Sequence, residues 1–227
     1  MKILGIQKMT LLDFPGKIAC VVFLGGCNFR CPFCHNGTLA TGEGVEIMSI
    51  DEFVAFLVSR RGRLEGVCIS GGEPTIHSDL PDFLSKIKNR GYAVKLDTNG
   101  TNPEMLLSLI ADGLVDYVAM DIKNSPEKYE DTVVINSELI ESVALSAKIL
   151  MQGRVDFEFR TTLMRELHDE NDIEKIGLWL AGDEKYFLQT YRDEGDLLVG
   201  GFTPHTAEEK NKFLDILRQY IPKAKIR

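Results

Sequence analysis

Short apolar runs rich in Val, Ile and Phe alternate along this chain with longer stretches of helical period, and that alternation restricts the fold more than any other feature. Strands are expected near residues 18–24, 66–70, 92–97, 115–121, 155–163 and 185–191, and helices near 50–61, 79–90, 103–112, 137–151, 170–181 and 206–220. A strand followed by a helix, repeated six times, is the pattern of βα units around a parallel sheet. Several helix ends carry their own signals. Ser49 stands ahead of Asp51 and Glu52 as an N-cap, Pro103 falls in a first turn, and Gly91 and Gly113 lie just past helix ends. The periodicity alone fits an open doubly wound sheet as well as a (β/α)6 partial TIM-type barrel. The 227 residues, 44% hydrophobic, suffice for one sizeable core and contain no Pro, Gly or Ser tract that reads as a linker, so a single domain over 1–227 is expected.

The charge excludes some classes of function. A formal net charge of -8 argues against a nucleic-acid face, and the densest basic patch, Arg60-Arg61-Gly62-Arg63, is short enough to be the solvated end of a helix. No apolar run approaches a membrane span, and Met1-Lys2-Ile3-Leu4 leads into mixed polar sequence without a long apolar h-region. A soluble, cytoplasmic protein is expected. Five cysteines do not make a disulfide framework at this length; Cys20 and Cys68 lie in apolar strand segments and read as small buried hydrophobes.

The other three cysteines, Cys27, Cys31 and Cys34, fall in Gly25-Gly26-Cys27-Asn28-Phe29-Arg30-Cys31-Pro32-Phe33-Cys34-His35-Asn36, directly after the first expected strand. Thiolates are soft ligands for zinc or iron–sulfur clusters, and gaps of three and two residues let one loop wrap three of them around one corner of a metal centre. Three ligands on a four-iron cube leave one iron open to a small molecule. A structural zinc is closed by a fourth protein ligand, for which His35 is the nearby candidate, awkwardly adjacent to Cys34.

In parallel α/β architectures ligands bind at the C-terminal ends of strands, and the polar clusters of this chain fall there. The second strand ends in Ser70-Gly71-Gly72-Glu73-Pro74, whose glycines allow close backbone approach and whose Glu73 can accept from a ligand ammonium. The third ends in Lys95-Leu96-Asp97-Thr98-Asn99-Gly100 and the fourth in Ala119-Met120-Asp121-Ile122-Lys123. In the fifth, Arg160 stands in an alternating polar and apolar run; an ion pair with Glu158 is not expected, another acidic partner stays open, and Arg160 is expected to reach a ligand or a substrate peptide.

The cysteine spacing, with Phe33 before the last cysteine, resembles the radical S-adenosylmethionine (SAM) superfamily. That resemblance implies a [4Fe-4S] cluster on Cys27, Cys31 and Cys34, SAM chelated to its fourth iron, the Phe33 backbone against the adenine, and Gly71, Gly72, Glu73 and Pro74 around the SAM amino group. It also implies the partial barrel. The Asp97-Thr98-Asn99-Gly100 and Asp121-Ile122-Lys123 stretches resemble a narrower group, the glycyl-radical-enzyme activating proteins. They imply a monovalent cation held by Asp97, Thr98 and Asp121, Asn99 beside SAM, and Lys123 at the SAM carboxylate, a role suited to a compact ammonium. Some members carry a His near the SAM ribose. Here that place is Phe187-Leu188-Gln189-Thr190-Tyr191-Arg192, so Gln189 is the candidate contact, while His77, His168 and His205 lie elsewhere.

From Thr10-Leu11-Leu12-Asp13-Phe14-Pro15-Gly16-Lys17 to about Arg192 the chain is similar to the longer form of the anaerobic ribonucleoside-triphosphate reductase activating proteins. The implied activity is reductive cleavage of SAM to a 5'-deoxyadenosyl radical that takes a glycine hydrogen from that partner, with a flavodoxin or ferredoxin as electron donor. The alternatives are a radical SAM enzyme acting on a small molecule, such as a deazapurine or tetrapyrrole, activation of another glycyl radical enzyme such as pyruvate formate-lyase, and a non-catalytic iron–sulfur or zinc module.

Overall fold

The computed structural model describes residues 1–134, 138–183, 185–192 and 198–227; Ser137, at the start of the expected fourth helix, lies outside them. The six expected strands are present as β2 (Ala19–Leu24), β3 (Gly66–Gly71), β4 (Ala93–Thr98), β5 (Tyr117–Asp121), β6 (Asp156–Leu163) and β7 (Tyr186–Thr190), all parallel. Two strands were not expected. β1 (Ile3–Thr10) runs antiparallel to β2, and the two-residue β8 (Lys225–Ile226) pairs parallel with β7.

The sheet order is sequential from β1 to β8. A doubly wound sheet needs a reversal of strand order; with right-handed crossovers and no reversal, every connecting helix falls on the same face and the sheet curls the other way. This settles the choice that periodicity left open in favour of an open, partial barrel. The helices are α1 (Gly37–Thr41), α2 (Ile50–Ser59), α3 (Leu80–Lys88), α4 (Pro103–Ala111), α5 (Tyr129–Val133), α6 (Glu138–Leu150), α7 (Glu170–Trp179) and α8 (Ala207–Leu217). Ser49 does cap α2, in a capping box with Glu52. Among the described residues no helix is long and apolar enough to cross a membrane.

Strand alternation divides the molecule into two layers. Cys20, Val22, Val67, Ile69, Val94, Leu96, Val118 and Met120 face the helices, in one core with Leu80, Phe83, Leu84 and Ile87 of α3, whose three-and-four spacing makes a single apolar stripe. Each such fully buried side chain contributes about 1.5–3 kcal/mol. The opposite, concave face changes character along the strands. Its floor is apolar, built from Ala19, Val21, Cys68 and Tyr117 with Phe14 as a plug, the Phe14 and Tyr117 rings 6.2 Å apart. Cys20 and Cys68 are both buried, as expected, but on opposite faces. Above the floor the concave face turns polar with Lys95, Asp97, Asp121 and Arg160.

Candidate functional site

At the C-terminal ends of the parallel strands lies a cavity of about 200 Å³. Cys27, Cys31 and Cys34 border it, all as free thiols. They ride on the loop after β2, which folds back over α1: Gly26 N–H donates to the Leu39 carbonyl at 2.7 Å and Cys27 N–H to the Ala40 carbonyl at 3.0 Å. Gly26 turns the chain there with φ of +94°, a conformation that strains any side-chain-bearing residue. Burial pushes the Cys27 thiol up to about 11 and the Cys31 thiol up to about 12, so a metal must displace their protons to bind. Among the described residues no three His, Cys, Asp or Glu side chains are placed to hold a single metal ion. Three soft thiols bordering one cavity are a donor set that suits an iron–sulfur cluster.

The Gly-Gly-Glu-Pro stretch packs against the cysteine loop. The Gly72 N–H donates to the Leu24 carbonyl at 2.9 Å and Glu73 N–H to the Gly26 carbonyl at 2.8 Å, and a Cβ on Gly72 would overlap the Gly26 carbonyl. These glycines therefore let the β3 loop lie directly against the cysteine loop. Ser70, Gly71 and Gly72 border the cavity; among the described residues Glu73 and Pro74 lie behind it. Glu73 is buried, and its carboxylate accepts from Thr75 N–H at 3.0 Å, the Thr75 hydroxyl at 2.6 Å, the Thr98 hydroxyl at 2.7 Å and Asn99 N–H at 2.6 Å. Burial pushes its pKa up against these four donors. Through these four bonds Glu73 joins the β3 and β4 loops.

Charges on the concave wall form one network. Arg160 Nε donates to Asp121 at 2.9 Å and its NH1 lies 3.6 Å from Asp97; Lys123 Nζ donates to Asp121 at 2.9 Å, and Lys95 is paired with Asp97. Burial opposes ionisation of both carboxylates, yet Lys95 and Arg160 hold Asp97, and Arg160 and Lys123 hold Asp121, below the usual range. Two cations, Lys123 and Arg160, border the cavity beside the cysteines together with the two carboxylates, while Lys95 is buried outside its lining. Such a wall suits a ligand carboxylate. Of the residues expected at a monovalent cation, Asp97 pairs with Lys95, Asp121 with Lys123, and the Thr98 hydroxyl donates to Glu73.

Asp97, Thr98, Asn99, Asp121, Lys123 and Arg160 all border the cavity, as does Phe33, whose ring meets Phe202 edge-on at 6.1 Å. Gln189 meets Thr162 at 3.5 Å, and among the described residues Thr162 rather than Gln189 reaches the cavity. Phe29, Asn36 and Thr162 border it without having been singled out. Only the Cys-loop position of Phe29 and Asn36, and the strand alternation that puts Thr162 on the face of Arg160, carried a signal for them. The histidines serve as struts: His77 Nε2 meets the Gly25 carbonyl at 3.0 Å, His168 Nε2 the Lys123 carbonyl at 2.9 Å, and His205 packs on Phe213 just before the α8 cap Thr206.

Residues 21–176 match the model of the Radical SAM superfamily. The chain is 35% identical to a Methanocaldococcus jannaschii protein named "Putative glycyl-radical enzyme activating enzyme", over 82% of this chain and 78% of that one. It is 33% identical to the 7-carboxy-7-deazaguanine synthase of Neisseria meningitidis, over 57% of this chain and 55% of that one. Among solved structures, Streptococcus suis SuiB bound to S-adenosylmethionine superposes with a TM-score of 0.69 at 12% identity, over 91% of this chain. This chain spans about half of that one, 51%, and the likeness at such identity is one of fold.

Proposed function

The chain belongs to the radical SAM superfamily and, within it, to the glycyl-radical enzyme activating enzymes, and we propose that it activates anaerobic ribonucleoside-triphosphate reductase. It is an enzyme whose cofactors are a [4Fe-4S] cluster and SAM. The observation that carries the site reading is the meeting of three thiols with the Lys123 and Arg160 cations on one cavity at the strand C-termini. In this reading Cys27, Cys31 and Cys34 hold the cluster, and Lys123 and Arg160 receive the SAM carboxylate. Gly71 and Gly72 bring backbone to its amino end, and Phe33 flanks the adenine.

When bound, the cluster and SAM supply reductive cleavage of a sulfonium C–S bond, yielding methionine and a 5'-deoxyadenosyl radical that takes a glycine hydrogen. The protein's part is positioning and exclusion. Asp121 fixes Lys123 and Arg160 so that both cations stay aimed at the cavity, and His168 holds the Lys123 backbone. Buried Phe29 and Phe33 keep water and stray hydrogen donors from the walls. The electron comes from a flavodoxin or ferredoxin.

The partner reading is supported by the similarity of Thr10 to Lys17 to the reductase-activating group. That segment lies at the barrel floor, where Phe14 plugs the end opposite the cavity. A second reading, a small-molecule reaction, is favoured by the likeness to the deazaguanine synthase. Anaerobic mixing with SAM, dithionite and either anaerobic ribonucleotide reductase or pyruvate formate-lyase separates them by electron paramagnetic resonance. A glycyl signal on the ribonucleotide reductase alone is expected. A signal on pyruvate formate-lyase alone reassigns the partner, and no signal on either, with SAM still cleaved, favours the small-molecule reading.

A further inference from the structure

Asn28 sits in the cysteine loop directly after Cys27, and its side chain crosses to the β4–α4 loop. There it closes a ring of three hydrogen bonds. Asn28 Nδ2 donates to Thr101 Oγ1 at 2.8 Å, the Thr101 hydroxyl donates to Asn99 Oδ1 at 2.7 Å, and Asn99 Nδ2 donates to Asn28 Oδ1 at 2.9 Å. Each group donates once in the same sense, so the bonds polarise one another. The direction is fixed from outside the ring. Thr101 N–H, which can only donate, reaches Asn99 Oδ1 at 3.0 Å, and this leaves the Asn99 amide nitrogen facing the cysteine loop.

That nitrogen carries two hydrogens. One closes the ring, and the other faces Cys27 Sγ at 4.0 Å, while Phe29 N–H approaches the same sulfur at 3.4 Å. Asn99 and Thr101 are buried, and the Asn99 backbone N–H is anchored at 2.6 Å on Glu73. The ring thus ties Cys27 to the β4 loop, and through Glu73 to the β3 loop, with an amide donor aimed at its sulfur.

We infer that the Asn28–Thr101–Asn99 ring positions Cys27 and, through the Asn99 amide, sets the reduction potential of the cluster. The inference rests on the cluster being held by Cys27, Cys31 and Cys34. Reduction adds one negative charge that is shared with the thiolate sulfurs, and an N–H donor stabilises the reduced form more than the oxidised one. Removing the donor shifts the equilibrium toward the oxidised cluster. Asn99 and Thr101 act here as positioning residues, through Cys27.

The test uses the full chain reconstituted anaerobically with iron and sulfide. Iron content is measured first, and then the midpoint potential by dithionite titration followed by electron paramagnetic resonance. Asn99→Ala is expected to keep the iron content of the parent protein while its reduction equilibrium falls about tenfold, which is about 59 mV more negative for one electron. Thr101→Val, which breaks the ring at a residue away from the sulfur, is expected to fall about threefold, and Thr101→Ser, which keeps the hydroxyl, to match the parent. Full iron with an unchanged potential in both Asn99→Ala and Thr101→Val overturns this inference alone, as does a Thr101→Ser potential as low as that of Thr101→Val. A parent protein that takes up no iron overturns the cluster reading, and the inference with it.

Discussion

Cys31→Ala is expected to lower 5'-deoxyadenosine formation from SAM by at least about 10³-fold, a loss of about 4 kcal/mol or more in transition-state stabilisation. Cys31 is the deepest of the three thiols, 7% exposed, in contact with the core that also holds Phe29 and Phe33. A cluster left with two thiolates on a loop loses both its anchorage and the geometry that exposes one iron. Removing one sulfur from the cavity wall costs the fold far less, about 1 kcal/mol, because the vacated volume opens onto the cavity. Chromatography of products under dithionite, alongside thermal melting of the apoprotein, separates the two effects. Product formation retained in Cys31→Ala removes that residue from the cluster.

Glu73→Gln is the second large effect, and it falls on stability. The substitution keeps the volume but turns one acceptor oxygen into a donor. Either Asn99 N–H loses its partner, or the three donors on the other oxygen, Thr75 N–H and the Thr75 and Thr98 hydroxyls, meet an amide N–H. Charge-assisted bonds are worth about 1.5–3 kcal/mol each and a buried unpaired donor costs about 1–3 kcal/mol, so a loss of about 3 kcal/mol is expected. For a chain of this size that lowers the melting temperature by about 10 °C. The effect is expected in the apoprotein, without SAM. A variant that melts with the parent and shows only weakened SAM binding would make Glu73 a ligand acceptor and not a structural tie.

Most of the six parallel strands were legible as buried apolar runs bounded by turns, as in Gly66–Gly71 with its Val-Cys-Ile centre, and Asp156–Leu163 by its polar and apolar alternation. β1 was not, because Ile3–Thr10 is an edge strand whose middle residues are partly or fully exposed, so neither alternation nor a continuous apolar run marks it. β8 has two residues and exists only because β7 offers an edge. The helices Gly37–Thr41 and Tyr129–Val133 are too short to show a period. Within the site, the cysteines and the polar strand ends were visible as motifs, whereas the partners of those side chains were not. That Glu73 faces Thr98 and Asn99, that Arg160 pairs with Asp121, and that Asn28 closes a ring with Thr101 are contacts between separate βα units. Strand register and loop packing create them, and one-dimensional spacing carries no trace of either.

The central claim, that three thiols hold a cluster with one iron open to SAM, whose carboxylate Lys123 and Arg160 receive, is tested most directly by electron paramagnetic resonance of the anaerobically reconstituted, dithionite-reduced protein before and after SAM is added. A [4Fe-4S] signal that changes shape with SAM is the predicted result. A cluster signal indifferent to SAM, or a protein that takes up zinc in place of iron, would contradict it.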